Sequence, residues 1–366
     1  MTAATVSPGR TGTERAAPAL DPAAPPAEYS AVNPTEILVV LPALNEAAHI
    51  ETCIRSLMRP RGWVSGCRVV IADGGSADGT QEIVSRLMGE FANLRLIENR
   101  GRLQSAGVNL AVARCAGSSH RVLVRCDVHA IYPPGYIGAL AQELARVGAA
   151  SVVTAMDATG GCGFQRAAAW IVDTPLGSGG SAHRGGRKAQ FVDHGHHAAF
   201  DLGWFRRVGG YDPTISHNED AEFDLRLTRA GGRIWLTDRT RIAYAMRPTF
   251  GALWRQYWNY GRGRANTLSK HRIVPRLRQI VPVLNTWLLA LSLAAAPLTP
   301  LALVWPTLYL TVLAGTSVAA AIGLRSIDGL WAGPALAAIH LAWGLGFMQR
   351  ILGGRRLAPA PRLHAG

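Results

Sequence analysis

The sequence predicts an α/β protein whose mostly parallel sheet is flanked by helices and followed by membrane-crossing helices. Two patterns predict it. Between residues 36 and 147 short branched apolar runs alternate with segments of helical periodicity, and beyond residue 279 come three long apolar segments. A third observation, acidic residues at the ends of the strand-like runs, places a ligand site beyond the carboxyl edge of the sheet.

Residues 37–41 form a continuous branched run ending at Pro42, the pattern of a strand buried on both faces. Asn45 is placed to cap the next helix, in which Ala48, Ile50, Cys53, Ile54 and Leu57 share one face. A second strand over 69–72 leads through the glycine-rich turn 73–79 into a helix over 80–88. A third strand is expected over 94–97, a third helix around 108–115, and a fourth strand over 122–126 that stops at Asp127. After residue 147 the expected elements are a strand over 151–156, a turn at 209–212 and a helix over 220–230. The stretch 177–186 reads as a lid or acceptor loop. Segments 281–298, 301–324 and 330–352 are candidate spans; the first carries Asn285, Thr286 and Pro297 and could instead lie in the interface.

With 48% hydrophobic and 17% charged residues, the chain is neither disordered nor fibrous. Of 38 Lys and Arg residues only Lys188 and Lys270 are lysines, so the net charge of +14 is arginine charge, suited to phosphate. Residues 247–278 hold eight basic side chains and no acidic one. No nucleic-acid-binding motif accompanies them and apolar sequence follows, so the expected partner is anionic lipid rather than nucleic acid. The positive-inside rule places this stretch and the tail arginines Arg350, Arg355, Arg356 and Arg362 in the cytoplasm, which favours two crossings, whereas three apolar segments favour three. Five scattered cysteines without a C-x-x-C read as reduced thiols, and residues 1–34 lack an apolar signal region. The expected organisation is a disordered tail (1–34), a catalytic domain (35–246), a basic juxtamembrane or acceptor segment (247–279), two or three spans (280–352) and a basic tail (353–366), in the inner or plasma membrane with the catalytic domain cytoplasmic.

Asp73, at the tip of a buried strand and followed by glycines that let a ligand approach the backbone, can accept from a nucleobase N–H or a ribose hydroxyl. The bland alternative is a tight loop with a helix cap at Asp78. There is no G-x-G-x-x-G, which disfavours a dinucleotide fold.

The order Pro42-Ala43-Leu44-Asn45-Glu46, then Asp73-Gly74-Gly75-Ser76-Ala77-Asp78-Gly79-Thr80, then Arg125-Cys126-Asp127-Val128-His129 resembles the inverting family 2 glycosyltransferases of the GT-A nucleotide-diphospho-sugar transferase fold. The resemblance covers roughly 36–264. Through Val192-Asp193-His194-Gly195-His196-His197 and the stretch from Arg255 to Arg264 the chain is most similar to bacterial succinoglycan-type exopolysaccharide glucosyltransferases. The resemblance implies that Pro42, Asn45 and Glu46 floor a UDP-sugar pocket, that Asp73 meets uracil and ribose, and that Gly75, Ser76, Arg102 and Asp127 join the nucleotide-sugar site.

Asp127 and His129 stand where the family has its D-x-D metal motif, implying a divalent ion that offsets the charge of the diphosphate leaving group. Imidazole favours Mn2+ over Mg2+; alternatively His129 hydrogen-bonds the sugar or the diphosphate. Glu219-Asp220 matches the family's catalytic pair, with Asp220 as base and Glu219 or Asp224 as substitutes; helix capping is the structural alternative. Gln256 matches the start of the family's Q-x-x-R-W motif, but Asn259 stands in the arginine place and Tyr260 in that of the tryptophan. Arg262 or Arg264 could supply the missing cation or face lipid headgroups. Zinc binding by His194, His196 and His197 is disfavoured, since no second ligand pair follows, and His196 and His197 are expected to contact acceptor or diphosphate. The implied activity is transfer of a hexose, glucose from UDP-glucose, to a polyprenyl-diphosphate-linked saccharide in exopolysaccharide or cell-surface polysaccharide synthesis. Direct transfer to polyprenyl phosphate and a non-catalytic sugar-nucleotide-binding scaffold are the alternatives.

Overall fold

A computed structural model describes residues 32–182, 184 and 188–353, without the side chains of His197 and Ala198. Most of both expected tails, four residues of the expected 177–186 loop or just after it, and the His197 side chain lie outside the described residues.

The chain begins with β1 (Ile37–Ala43), α1 (Ile50–Leu57), a short α2 (Arg61–Val64), β2 (Arg68–Asp73), α3 (Thr80–Glu90), β3 (Leu94–Glu98), α4 (Gln104–Cys115) and β4 (Val122–Arg125). These four strands are parallel, in spatial order β3-β2-β1-β4. β1 is buried along its whole length. Alternation sends Ile37, Val39 and Leu41 into one core and Leu38 and Val40 into the other, which is why its sequence runs without polar interruption.

The second half is mixed. It comprises β5 (Ala130–Ile131), α5 (Tyr136–Val147), β6 (Ser151–Thr159), α6 (Gly163–Val172), α7 (Pro175–Ser178), β7 (Gln190–Val192), β8 (His196–Asp201), α8 (Leu202–Arg207), α9 (Glu219–Arg229) and β9 (Ile234–Ala245). β8 lies antiparallel between β4 and β6, β9 runs parallel to β6, and β5 and β7 each pair antiparallel with β9. Because β8 opposes β4, its first residue, His196, arrives beside the end of β4 that leads to Asp127. Asn45 does not cap α1. The cap position falls to His49, and Asn45, at φ 56°, instead accepts the Ala77 N–H at 2.9 Å.

Among the described residues four long helices follow: α10 (Phe250–His271), α11 (Leu277–Ala295), α12 (Val304–Leu324) and α13 (Ala332–Leu352). Among the described residues three helices, Leu277–Ala295, Pro300–Leu324 and Ile327–Leu352, are long and apolar enough to cross a membrane. They differ in surroundings. The first two are mostly uncovered, whereas half of the apolar window of the third is buried within the protein. There Leu336 and Ile339 join the same core as Ile37 and Val39, because α13 packs along α10 and α6.

The α10–α13 contact is a backbone approach. A Cβ on Gly261 would meet the Trp343 carbonyl oxygen at 2.1 Å, and one on Gly346 would meet that of Trp258 at 2.2 Å. Small residues are what let two helices come this close. Gly261→Ala gains about 1 kcal/mol of helix propensity but collides with backbone that cannot step aside, at a cost of about 1–3 kcal/mol. We expect a net lower melting temperature in detergent, while Gly251→Ala, open on the same helix, leaves it unchanged or slightly raised. Equal effects of the two substitutions would contradict the close packing.

Candidate active site

A cleft of about 600 Å³ opens beyond the carboxyl ends of β1 and β4, where an α/β sheet of this order places its ligands. Its walls include Pro42, Glu46, Arg102, Asp127, His129, His196, Glu219, Asp220 and Gln256, all singled out in the sequence. Asn45, Asp73, Gly75, Ser76 and Arg262 are not among the lining residues.

Asp73 is buried, and its carboxylate accepts from the Gly75 and Ser76 N–H groups (both 2.9 Å), the Ser76 hydroxyl (2.5 Å) and the Gln81 amide (2.7 Å). Ser76 Oγ also accepts the Asn45 N–H at 2.8 Å, and Asp78 accepts those of Ala47 and Thr80. These bonds tie the 73–80 turn to the 43–47 turn, so the two sequence motifs form one rigid wall whose Pro42, Leu44 and Glu46 face the cleft. Asp127 is fixed through its backbone: the Tyr132 hydroxyl accepts its N–H at 2.8 Å and donates to its carbonyl at 3.0 Å. His129 Nδ1 lies 3.7 Å from Glu46. Burial works against its charged form, but the Glu46 and Asp127 carboxylates outweigh that and raise its pKa.

The centre of the cleft floor is Arg125, which is 5% exposed. Its guanidinium donates to Asp220, to Glu219 Oε1 at 3.0 Å, to Gln104 Oε1 at 2.7 Å and to Asp127 Oδ1 at 3.4 Å, and it lies 5.3 Å from the Tyr211 ring centroid. Burial opposes its charge, but these carboxylates, Asp220 foremost, hold it protonated. Arg125 was not singled out from the sequence as a functional residue. The available signal was a charged side chain closing the buried run Val122-Leu123-Val124, which burial tolerates only with partners.

Glu219 and Asp220 open α9, whose N-terminus favours negative charge. Asp220 gives one oxygen to Arg125 and, at 3.1 Å, to the Tyr211 hydroxyl; the other accepts from His196 Nδ1 at 2.7 Å. Against burial, Arg125 and His196 hold its pKa well below the usual carboxylate range. Glu219, buried beside that charge and only partly relieved by Arg125, is pushed up to about 7. A second acid–imidazole pair stands next to the first: His194 Nδ1 lies 2.7 Å from Asp224, and the two histidine rings meet edge to face at 5.0 Å. Burial and His196 drive His194 toward its neutral form, and burial beside Asp220 raises the Asp224 pKa. Gly195 between the histidines has no room for a Cβ, which would lie 2.4 Å from Val153.

The basic stretch 247–278 is divided among sites. Arg247 and Arg255 line the cleft, Lys270 pairs with Asp212 and with Glu222 (2.9 Å), Arg276 pairs with Asp193 (2.5 Å), and Arg262 is exposed. Gln256 donates to the hydroxyls of Tyr244 and Tyr260, each at 2.9 Å.

Asp127 and His129 both face the cleft, and a carboxylate with an imidazole suits Mn2+. Among the described residues no group of three His, Cys, Asp or Glu side chains could by itself hold a metal ion. The donor set therefore fits an ion that shares its coordination with substrate oxygens rather than a closed protein cage.

Comparison with known proteins agrees with this architecture. The model of "Glycosyl transferase family 2" matches residues 38–209 and that of "Glycosyl transferase family group 2" matches 132–324. The chain is 44% identical over 323 residues to the succinoglycan biosynthesis protein ExoA of Rhizobium meliloti (strain 1021), covering 88% of this chain and 97% of that one. A mannosyltransferase from Pyrobaculum calidifontis, solved with GDP-Man and Mn2+, superposes with a TM-score of 0.57 at 19% identity, over 92% of this chain and 90% of its own, which shows a shared fold. With the cleft at the sheet's carboxyl edge and relatives along nearly the whole chain, the protein belongs to glycosyl transferase family 2 and is a glycosyltransferase.

Proposed function

We propose that the protein is a membrane-anchored inverting transferase that moves a hexose, glucose from UDP-glucose, to a prenyl-diphosphate-linked saccharide in exopolysaccharide synthesis. The observation that carries this reading is the convergence of Asp127, His129, Glu219 and Asp220 on one cleft around Arg125. The 44% identity to a succinoglycan biosynthesis protein supports the polysaccharide. Three apolar helices support the anchor. The basic stretch before them supports anionic lipid as a contact and the cytoplasm as the side of the catalytic domain.

On this reading Pro42, Glu46 and Arg102 flank the nucleotide, with the turn built by Asp73, Gly75, Ser76 and Asn45 as its support. A divalent ion at Asp127 and His129 would offset the negative charge that develops on the leaving diphosphate. The acceptor hydroxyl attacks the anomeric carbon as the bond to the diphosphate breaks, and its proton passes to the protein. Asp220 already spends one oxygen on Arg125 and Tyr211, so proton uptake falls to Asp220 together with His196. An ionised Asp220 accepts the Nδ1–H, which sets the other ring nitrogen as the basic one.

A donor panel with purified membranes and mass spectrometry of the lipid products tests the reaction: hexose on lipid-linked saccharide is expected, and UDP binding without turnover on any donor refutes it. Asp220→Asn and His196→Ala should each lower transfer by about 10²-fold or more while UDP-sugar affinity changes by no more than a few-fold; near-normal turnover in Asp220→Asn removes this base. EDTA should stop transfer, with Mn2+ restoring it at least as well as Mg2+, and His129→Ala should erase that preference; full activity in EDTA excludes a metal role for Asp127. Finally, Arg125→Met leaves three carboxylates without their shared cation and should destabilise the fold by about 3–5 kcal/mol, read as a shift in denaturant midpoint; an unchanged midpoint would show that the cluster does not depend on Arg125.

A further inference from the structure

A second cavity of about 590 Å³ adjoins the cleft, with Arg184, His196, Asn218 and Tyr260 lining both. It lies where the catalytic domain meets the candidate spans, between α10, the start of α11 and α13. Part of its lining is apolar, formed by Leu176, Val281, Pro282, Ile339 and Trp343. Arg184, Arg264, Arg278 and His194 also line it, and among the described residues no carboxylate does. In the cleft, by contrast, four carboxylates stand among the arginines.

These arginines are poorly neutralised. Among the described residues Arg278 reaches only the Ser181 hydroxyl, at 3.5 Å. Arg184 has a buried Nη1 without a hydrogen-bond partner there, and its guanidinium lies over the Tyr244 ring at 4.9 Å. Arg264 makes no hydrogen bond or ion pair with a described residue; burial, Arg278 and Arg276 together push its pKa down to about 10. The carboxylates that act on them, Asp173 on Arg184, Asp193 on Arg278 and Asp224 on Arg264, make no ion pair with them among the described residues; clustered buried guanidinium groups so weakly compensated are costly, and a bound polyanion lowers that cost.

We propose that this cavity is the binding site for the phosphoryl groups of a prenyl-linked acceptor. Arg264 and Arg278 take the diphosphate oxygens, and the prenyl chain leaves along Val281, Pro282, Ile339 and Trp343 toward the bilayer. The linked saccharide reaches the cleft past His196 and Asn218. Guanidinium forks suit phosphate oxygens, and the apolar wall suits the first isoprene units. The inference rests on the lipid-linked acceptor of the preceding section and assigns it a place.

The test uses the full-length enzyme in nanodiscs, with geranylgeranyl diphosphate as the probe and UDP affinity as the control for folding. Arg264→Gln and Arg278→Gln should each weaken the probe by about tenfold while UDP affinity stays within about twofold. Inorganic pyrophosphate should compete poorly, and the loss should persist in neutral phosphatidylcholine nanodiscs. Unchanged probe affinity in both variants overturns the site. So does equal competition by pyrophosphate, which marks a free-phosphate site, or a loss seen only with phosphatidylglycerol, which marks general lipid adhesion. Transfer by the wild-type enzyme to a soluble saccharide as readily as to a prenyl-linked one overturns the acceptor reading itself, a failure visible without any variant.

Discussion

The site depends on one buried guanidinium shared by three carboxylates. Arg125 closes β4, while Asp127 follows it, Glu219 and Asp220 come from α9, and Gln104 from α4. Taking any one of these acids from water singly would cost several kcal/mol; gathered around a common cation they also fix the positions of the elements that carry them. The consequence is electrostatic order within the cleft. Its floor is acidic in excess of Arg125, whereas Arg102, Arg247 and Arg255 line its walls. On the proposed reading, a nucleotide diphosphate would meet its cations at these walls, and in an ion held by Asp127 and His129, rather than in Arg125, which is already committed.

The adjacent acid–imidazole pairs show how neighbouring carboxylates are driven apart in acidity. Asp220 is kept ionised by Arg125 and His196. Asp224, four residues on and farther from Arg125, is pushed the other way by burial and by the charge on Asp220. Identical side chains on successive turns of one helix thus have opposite tendencies, and only one has the character of a standing negative charge in the cleft.

What the sequence displayed was local. Branched runs announced β1, β2 and β4, their terminal residues announced Asp73 and Asp127, and the three apolar segments were visible as such. Arg125 was readable only as an oddity, because all of its five partners but Asp127 lie 21 to 95 residues away. The insertion of β8 against β4 was hidden for the same reason: a short run such as Ala199 and Phe200 does not reveal the direction of its pairing. Asn45 illustrates competition between local and distant partners, since a residue suited to cap a helix was drawn instead to the turn after β2. Composition showed an even basic patch, but not that two of its eight side chains, Lys270 and Arg276, are drawn into pairs with Asp193, Asp212 and Glu222 from elsewhere in the chain.

α10 supplies Arg255, Gln256 and Tyr260 to the cleft and, at the very next residue, lays Gly261 against the backbone of α13. A wall of the reaction chamber is thereby mechanically geared to a candidate span. With α13 in the bilayer, a change in its tilt would reach this wall of the chamber through a contact too close to slip. Bilayer thickness would then become a quantity the enzyme can feel, and, on the proposed reading of a lipid-linked acceptor, the membrane that carries the acceptor would also set the shape of the room in which the sugar is handed over.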